Sequence, residues 1–262
     1  MRLNQTEATK MENNELYAIH FICTGNSCRS RMAQAIMQDT ISQWEKAGMD
    51  KFGLEGKILE ARSSGMQVDD IHEWGKTDEK GGTKEFKWDT IMKVLKVAYN
   101  NGIHTMSNYK GFVEQVIGDE KAAKQSHDND PLYRRELNIA AGNVYQLVEQ
   151  FDRASTMLAL AEHNLIYPKG DPRQFAPDNS WAYVPMERKH AEKVGKRVKE
   201  AGEDSKIFCF DDLAGVEMKG SLGAISLEDG KLDIRGFNEI YETIKGGCNN
   251  LSYQVRKELS DV

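Results

Sequence analysis

Two rhythms of apolar and polar positions alternate along this chain. Tyr17-Ala18-Ile19-His20-Phe21-Ile22 is a short, nearly continuous apolar run, which predicts a strand. Met32, Ala33, Ile36, Met37, Ile41 and Trp44 then recur at helical spacing and predict a helix ending near Gly48. The stretch Lys57-Ile58-Leu59-Glu60-Ala61-Arg62-Ser63-Ser64-Gly65 reads as a second strand stopping at Gly65. Strand, helix, strand in this order predicts a right-handed βαβ unit and a parallel sheet. The loop after the first strand then lies at the carboxyl edge of that sheet, where such sheets place ligands.

The middle of the chain follows the helical rhythm alone. From about Val68 to Pro185 the pattern offers turns and helices but no convincing strand. Trp88, Ile91, Met92, Leu95 and Ala98 form one apolar stripe. A longer one runs through Leu137, Ala140, Val144, Leu147, Phe151, Ala154, Leu158 and Ala161, and predicts a helix of roughly 30 residues, about 45 Å long. The Pro and Gly cluster Tyr167-Pro168-Lys169-Gly170-Asp171-Pro172 ends the region. The last third returns to an α/β pattern. A lysine-rich helix covers His190 to Ala201, a strand Lys206 to Asp211, and a fourth strand Gly223 to Leu227. A closing helix carries Phe237, Ile240, Tyr241, Ile244, Cys248, Leu251, Val255 and Leu259 on one face.

Charge and cysteine content narrow the partners. With 262 residues the chain can bury a substantial core, and a net charge of -6 argues against a polyanionic, nucleic-acid partner. Residues Met1 to Glu15 are polar, and no later stretch is apolar enough to span a bilayer, so no membrane association and a cytoplasmic location are expected. Cys23, Cys28, Cys209 and Cys248 fit a reducing compartment, and neither they nor the six histidines show metal-ligand spacing. Neither a metal nor another cofactor is expected.

The densest chemistry lies between the first strand and the first helix, in Cys23-Thr24-Gly25-Asn26-Ser27-Cys28-Arg29-Ser30. A thiol ends the strand, a guanidinium opens the helix, and the intervening peptide N–H groups can curl around a tetrahedral oxyanion. Those N–H groups, the helix N-terminus and Arg29 all favour a thiolate at Cys23. A positive charge at a helix start opposes the helix dipole, so Arg29 there makes sense with an anion in front of it. Ser30 can donate to the Cys23 sulfur, cap the helix, or both. Asn26, mid-loop, suits left-handed backbone angles. Cys28 is either a partner for a reversible disulfide with Cys23 or a small packing residue.

Phe21-Ile22-Cys23-Thr24-Gly25-Asn26-Ser27-Cys28-Arg29-Ser30, followed by Met32-Ala33, resembles the active-site loop of the low-molecular-weight protein tyrosine phosphatases and the related thioredoxin-coupled arsenate reductases. Weaker echoes follow in order. Ser63-Ser64-Gly65 is similar to the end of the family's second strand, Ile207 to Asp211 to its third, and Phe237 to Ile244 to its C-terminal helix. The resemblance implies a four-stranded parallel sheet flanked by helices over residues 15–66 and 185–262. Residues 1–14 are then a flexible N-terminal segment, and 67–184 an all-helical insertion without a family counterpart. It further implies a cysteine-dependent phosphomonoester hydrolase acting through a cysteinyl-phosphate intermediate on a phosphorylated protein or small molecule. In that scheme Cys23 is the nucleophile and Arg29 the clamp on the phosphate. Thr24, Gly25, Asn26, Ser27, Cys28 and Ser30 bind substrate, and Ser63 braces Asn26; an ordinary turn Asn is the competing view. The general acid is expected at Asp233, before the last helix but without the family's Asp-Pro, or at Asp130 of Asp130-Pro131, or at neither. Asp130 also reads as a helix N-cap followed by proline. Two other readings stay open: a thiol-coupled arsenate reductase, and an inactive module that binds phosphate or a phosphoprotein. Oligomeric state is not written in the pattern.

Overall fold

The computed structural model describes residues 15–217 and 234–260. Expectations for residues 1–14, for a strand at Gly223 to Leu227 and for Asp233 lie outside the described residues. The chain divides into two compact units. One comprises Met1–Met66, Leu160–Met218 and Tyr241–Val262, and the other Gln67–Ala159 and Lys219–Ile240.

The first unit holds the sheet. Strand β1 (Glu15–Cys23) is followed by helix α1 (Arg29–Ala47) and strand β2 (Lys57–Gly65), the βαβ unit that the pattern predicts. β1 and β2 run parallel in full register, from Glu15 opposite Lys57 to Cys23 opposite Gly65. Six successive residues, Ala18 to Cys23, are buried, because a central strand of a parallel sheet is covered on both faces. The sheet order is β2-β1-β3-β4, with β3 at Ala182–Pro185 and β4 at Lys206–Ile207, all neighbours parallel. Since β2 and β3 flank β1 on opposite sides, the strand order reverses at β1, and the crevice of a doubly wound sheet opens there.

Two sequence expectations need correction. No strand was expected before Pro185, yet Ala182–Pro185 forms β3 and is buried at all four positions. A strand this short, buried on both faces, has no alternation to betray it. Conversely, the strand expected over Lys206 to Asp211 closes after Ile207. Phe210 instead starts a one-turn helix, α8 (Phe210–Ala214), and its buried ring meets Phe21 edge-on at 6.4 Å. Among the other elements, α7 (Arg188–Glu200) stands where the lysine-rich helix is expected, and α9 (Ile234–Ser260) matches its predicted apolar face. All eight named stripe positions of α9 are buried.

The second unit is mainly helical where described, except that isolated β-bridges pair Trp74 with Lys84 and Thr77 with Thr83, which departs from the all-helical expectation. Helices α2 (Val68–Glu73), α3 (Trp88–Asn100), α4 (Lys110–Gly118), α5 (Glu120–Asn129) and the greater part of α6 (Pro131–Glu162) contribute to it. Trp74, Ile91, Leu95, Val113, Leu137 and Val144 lie in its apolar cluster. The fully buried carboxamide of Asn138 accepts hydrogen bonds from the Trp74 indole N–H (3.3 Å) and the Phe86 amide (2.8 Å). The stripe expected along α6 holds only in its first half. Leu137, Ala140 and Val144 are buried, whereas Ala154, Leu158 and Ala161 are exposed and Ser155, Thr156, Ala159 and Leu160 are buried instead. The predicted stripe steps by 3 and 4 alternately. A straight helix drifts about 20° per heptad against such a repeat, so over three heptads the buried face moves to neighbouring positions. Among the described residues no helix is long and apolar enough to cross a membrane.

Candidate active site

The site forms at the C-terminal end of β1. Cys23 sits opposite Gly65 at the last rung of the ladder, and the Met66 amide donates to its carbonyl oxygen at 2.9 Å. Thr24 and Gly25 at the loop's mouth are half-buried, while Asn26 to Ser30 are buried. Asn26 adopts the left-handed conformation (φ 55°), which turns the chain back so that its own amide donates to Cys23 Sγ at 3.2 Å. The Ser30 hydroxyl lies 3.0 Å from the same sulfur. Two polar groups therefore face the Cys23 sulfur.

Ser63 and Asn26 meet as expected, with Ser63 Oγ 3.1 Å from the Asn26 carboxamide oxygen. The same hydroxyl donates to Gln34 Oε1 at 2.6 Å, and Gln34 Nε2 donates to the Ala61 carbonyl. A hydroxyl carries one proton, so it cannot serve two acceptors at once. The buried Asn26 Nδ2 has no partner among the described residues. Turning the Asn26 amide by 180° resolves both facts, since Nδ2 then donates to Ser63 and Ser63 to Gln34.

Arg29 is buried at the first helical position of α1, and its Nη2 lies 2.5 Å from Oε1 of Glu187, just beyond β3. Burial acts to discharge the guanidinium, but the Glu187 carboxylate and the Cys23 sulfur outweigh it and hold Arg29 more firmly charged than usual. For Glu187 burial pushes up and Arg29 and Lys189 push down, with a net shift below the usual carboxylate range. Arg29 Nη1 is buried and without a partner among the described residues. A charged donor left unsatisfied costs about 1–3 kcal/mol or more, so it marks where an anion's oxygen belongs. His190, one turn along α7, is held neutral, its pKa pushed down to about 4 by burial with the nearby Lys189 and Arg29 charges.

Sequence reasoning missed Glu187, Arg31, Tyr167 and Gln34. Glu187 escaped because it follows the strand that the pattern did not reveal. Arg31 offered a faint signal, a second arginine in the first turn of a helix that already opens on Arg29. Its Nε donates to the Asn26 carbonyl oxygen, and its Nη groups donate to carbonyl oxygens of Pro168, Lys169, Gly170 and Asp171. Tyr167 donates to the Ser27 carbonyl oxygen at 2.9 Å.

The candidate acids part ways. Asp233 lies outside the described residues. Asp130 caps α6, its Oδ1 accepting the Leu132 and Tyr133 amides at 2.9 and 3.2 Å with Pro131 at the first helical position. Cys28 and Cys248 are buried, Cys209 is partly exposed, and none of the four cysteines is in a disulfide. Burial pushes the Cys248 thiol well above its ordinary range, and Cys248 Sγ lies 3.8 Å from the Ala33 carbonyl oxygen. Among the described residues no group of His, Cys, Asp and Glu could hold a metal ion.

A second serine constellation lies on the other face of β2. Ser64 Oγ is 2.8 Å from His20 Nε2, and His20 Nδ1 is 3.3 Å from Asp178. The order resembles a hydrolytic triad, but Ser64 is 2% exposed and no acyl group can reach it. Ser180 donates to Asp178, and the Asp178 amide donates to the Tyr183 hydroxyl at 2.8 Å, so this network ties strand β1 to the segment before β3.

Comparison with known proteins places this geometry. Residues 18–79 match the sequence model of the low molecular weight phosphotyrosine protein phosphatase family. An arsenate reductase of Shouchella clausii is 41% identical over 56 residues, which are 20% of this chain and 40% of that protein's length. The chain thus spans less than half of the curated relative that it matches. Among solved structures, Vibrio vulnificus Wzb in complex with benzylphosphonate aligns at TM-score 0.45 and 12% identity, over 91% of this chain and 98% of that one. A mutant of Bacillus subtilis YwlE aligns at TM-score 0.43 and 13% identity, with the same coverages. The part of the chain that is similar to the low molecular weight phosphotyrosine protein phosphatase model holds β1, the loop from Cys23 to Ser30, the helix behind it and β2.

Proposed function

We propose that the protein is a phosphomonoester hydrolase of the low-molecular-weight phosphatase type, working without a metal through a cysteinyl-phosphate intermediate. The observation that carries this reading is the pairing of Cys23 Sγ, bonded to the Asn26 amide and beside Ser30, with a buried, charged Arg29 whose Nη1 has no partner among the described residues. In the first step the Cys23 thiolate attacks phosphorus and the bond to the leaving oxygen breaks, that oxygen taking a proton from the general acid. In the second, water attacks phosphorus while the same group, now a base, takes its proton; the P–S bond breaks and the thiolate returns. Loop N–H groups and Arg29 Nη1 hold the phosphoryl oxygens as charge spreads over them, and the Ser30 hydroxyl stabilises the sulfur as leaving group. We assign the general acid to Asp233, because Asp130 is committed to capping α6. The substrate is a phosphorylated protein or small molecule, in the cytoplasm, with no nucleic acid or membrane involved.

Turnover of an aryl phosphate by wild type, Cys23→Ser and Asp233→Ala tests the scheme. Cys23→Ser is expected to lose roughly four orders of magnitude or more. Retained turnover in that variant sinks the mechanism. A Cys23-dependent burst without further turnover supports the phosphate-binding module instead.

Arsenate reduction is the second reading, favoured by the similarity to an arsenate reductase. It needs a second thiol to take over the disulfide after Cys23 has bound arsenic. Cys248 is a poor choice, buried with its thiol pushed up, whereas Cys28 shares the loop. Arsenate-dependent oxidation of a thioredoxin system supports this reading, its absence counts against it, and its survival in Cys28→Ala counts against Cys28 as the second thiol.

A further inference from the structure

We infer that Arg31 and Tyr167 pre-orient two of the N–H groups with which the loop holds an anion, acting from behind it on its carbonyl oxygens. The inference rests on the reading of the loop as an oxyanion cradle. Arg31 Nε donates to the Asn26 carbonyl oxygen at 3.2 Å, and Tyr167 Oη donates to the Ser27 carbonyl oxygen at 2.9 Å. No cis peptide bond occurs among the described residues. In a trans peptide unit the C=O and N–H lie in one plane and point in opposite directions. The Asn26 carbonyl shares its unit with the Ser27 N–H, and the Ser27 carbonyl with the Cys28 N–H. Fixing these two oxygens from outside therefore aims two consecutive N–H groups the other way. They follow directly on the Asn26 N–H, which already donates to Cys23 Sγ. A hydrogen bond accepted by a carbonyl also polarises its amide, so each of the two N–H groups becomes a stronger donor.

The clamp is anchored on its other side. Arg31 Nη1 lies 3.4 and 3.2 Å from the carbonyl oxygens of Pro168 and Lys169, and Nη2 lies 3.3 and 2.6 Å from those of Gly170 and Asp171. With Asn26, five carbonyl oxygens from two segments converge on one buried guanidinium, whose cation also stands 5.9 Å from the Tyr167 ring centroid. A planar fork with several fixed donors bridges two segments in a way that a point charge on a flexible stem does not. Arg31 and Tyr167 are positioning residues, since neither need touch the substrate.

Binding of inorganic phosphate by titration calorimetry tests this, in Cys23→Ser full-length protein as the parent and with Tyr167→Phe or Arg31→Met added. Tyr167→Phe removes one oxygen and is expected to weaken phosphate about three- to tenfold, the worth of one hydrogen bond. Arg31→Met is expected to weaken it further. Measured well below the melting temperature, phosphate affinity is not moved by a change in stability alone. Should Arg31→Met fail to fold, Tyr167→Phe still decides. Equal affinity in the parent and in Tyr167→Phe overturns the inference while leaving the cradle intact. A parent that binds no phosphate overturns both, and the two failures are distinguishable by the parent alone.

Discussion

The loop from Cys23 to Arg31 and the helical unit from Gln67 to Ala159 bury their residues by opposite means. In the helical unit the interior is dominated by an apolar cluster, from Trp74 through Leu95 to Val148, with the buried Asn138 hydrogen-bonded inside it. At the loop the buried polar positions are Asn26, Ser27, Arg29, Ser30 and Arg31, with Ser63 and Glu187 beside them. An apolar interior stabilises in proportion to area and tolerates changes of shape, while a buried polar network depends on every partner being present. Arg29 Nη1 remains unpaired there among the described residues. A buried charged donor without a partner is costly, and a bound anion would satisfy it.

The contrast yields predictions of decreasing size. Arg29→Ala removes the phosphate clamp and strands the Glu187 carboxylate. Aryl phosphate turnover is expected to fall by about 10²–10³, and stability by about 3–5 kcal/mol in urea unfolding. Arg29→Met with Glu187→Met should recover most of that stability and none of the turnover; recovery of both breaks the comparison. In the helical unit Leu137→Ala is expected to cost about 2–5 kcal/mol, with kcat of the folded protein unchanged. A matching drop in kcat in that variant would tie the helical core to the chemistry.

His190 sharpens the comparison through pH. Its pKa falls from 6.5 to about 4 on folding, so between these values the unfolded chain binds the extra proton. Stability contributed by neutral His190 is complete above pH 6.5 and declines toward pH 4, by on the order of 2 kcal/mol. His190→Gln should flatten that part of the curve, as followed by chemical unfolding at several pH values. Ser63→Ala is the smallest change. It is expected to cost about 1 kcal/mol and lower turnover less than Arg29→Ala does; an effect as large as that of Arg29→Ala would move Ser63 into the catalytic machinery.

How much of this was legible depended on whether a signal was local. β2 ends at Gly65 as its pattern says, and the left-handed Asn26 and its contact with Ser63 follow from the loop motif. Glu187 was invisible because its strand, Ala182–Pro185, is four buried residues without a period. Arg31 and Tyr167 were invisible for another reason, since their contacts bridge 137 to 140 positions and end on main-chain atoms. No side-chain pattern encodes a carbonyl acceptor. The second half of α6 failed because a 3.5-residue repeat was extended further than a straight helix can follow it.

The grip of Arg31 on residues 168–171 has a consequence for change over generations and for engineering. It is made wholly through peptide oxygens, which every amino acid supplies. The side chains of Lys169 and Asp171 can therefore be exchanged without loosening the hold, provided the backbone keeps its path. This stretch can vary in sequence while the loop behind it keeps its shape, which makes it a natural first target for a library of variants.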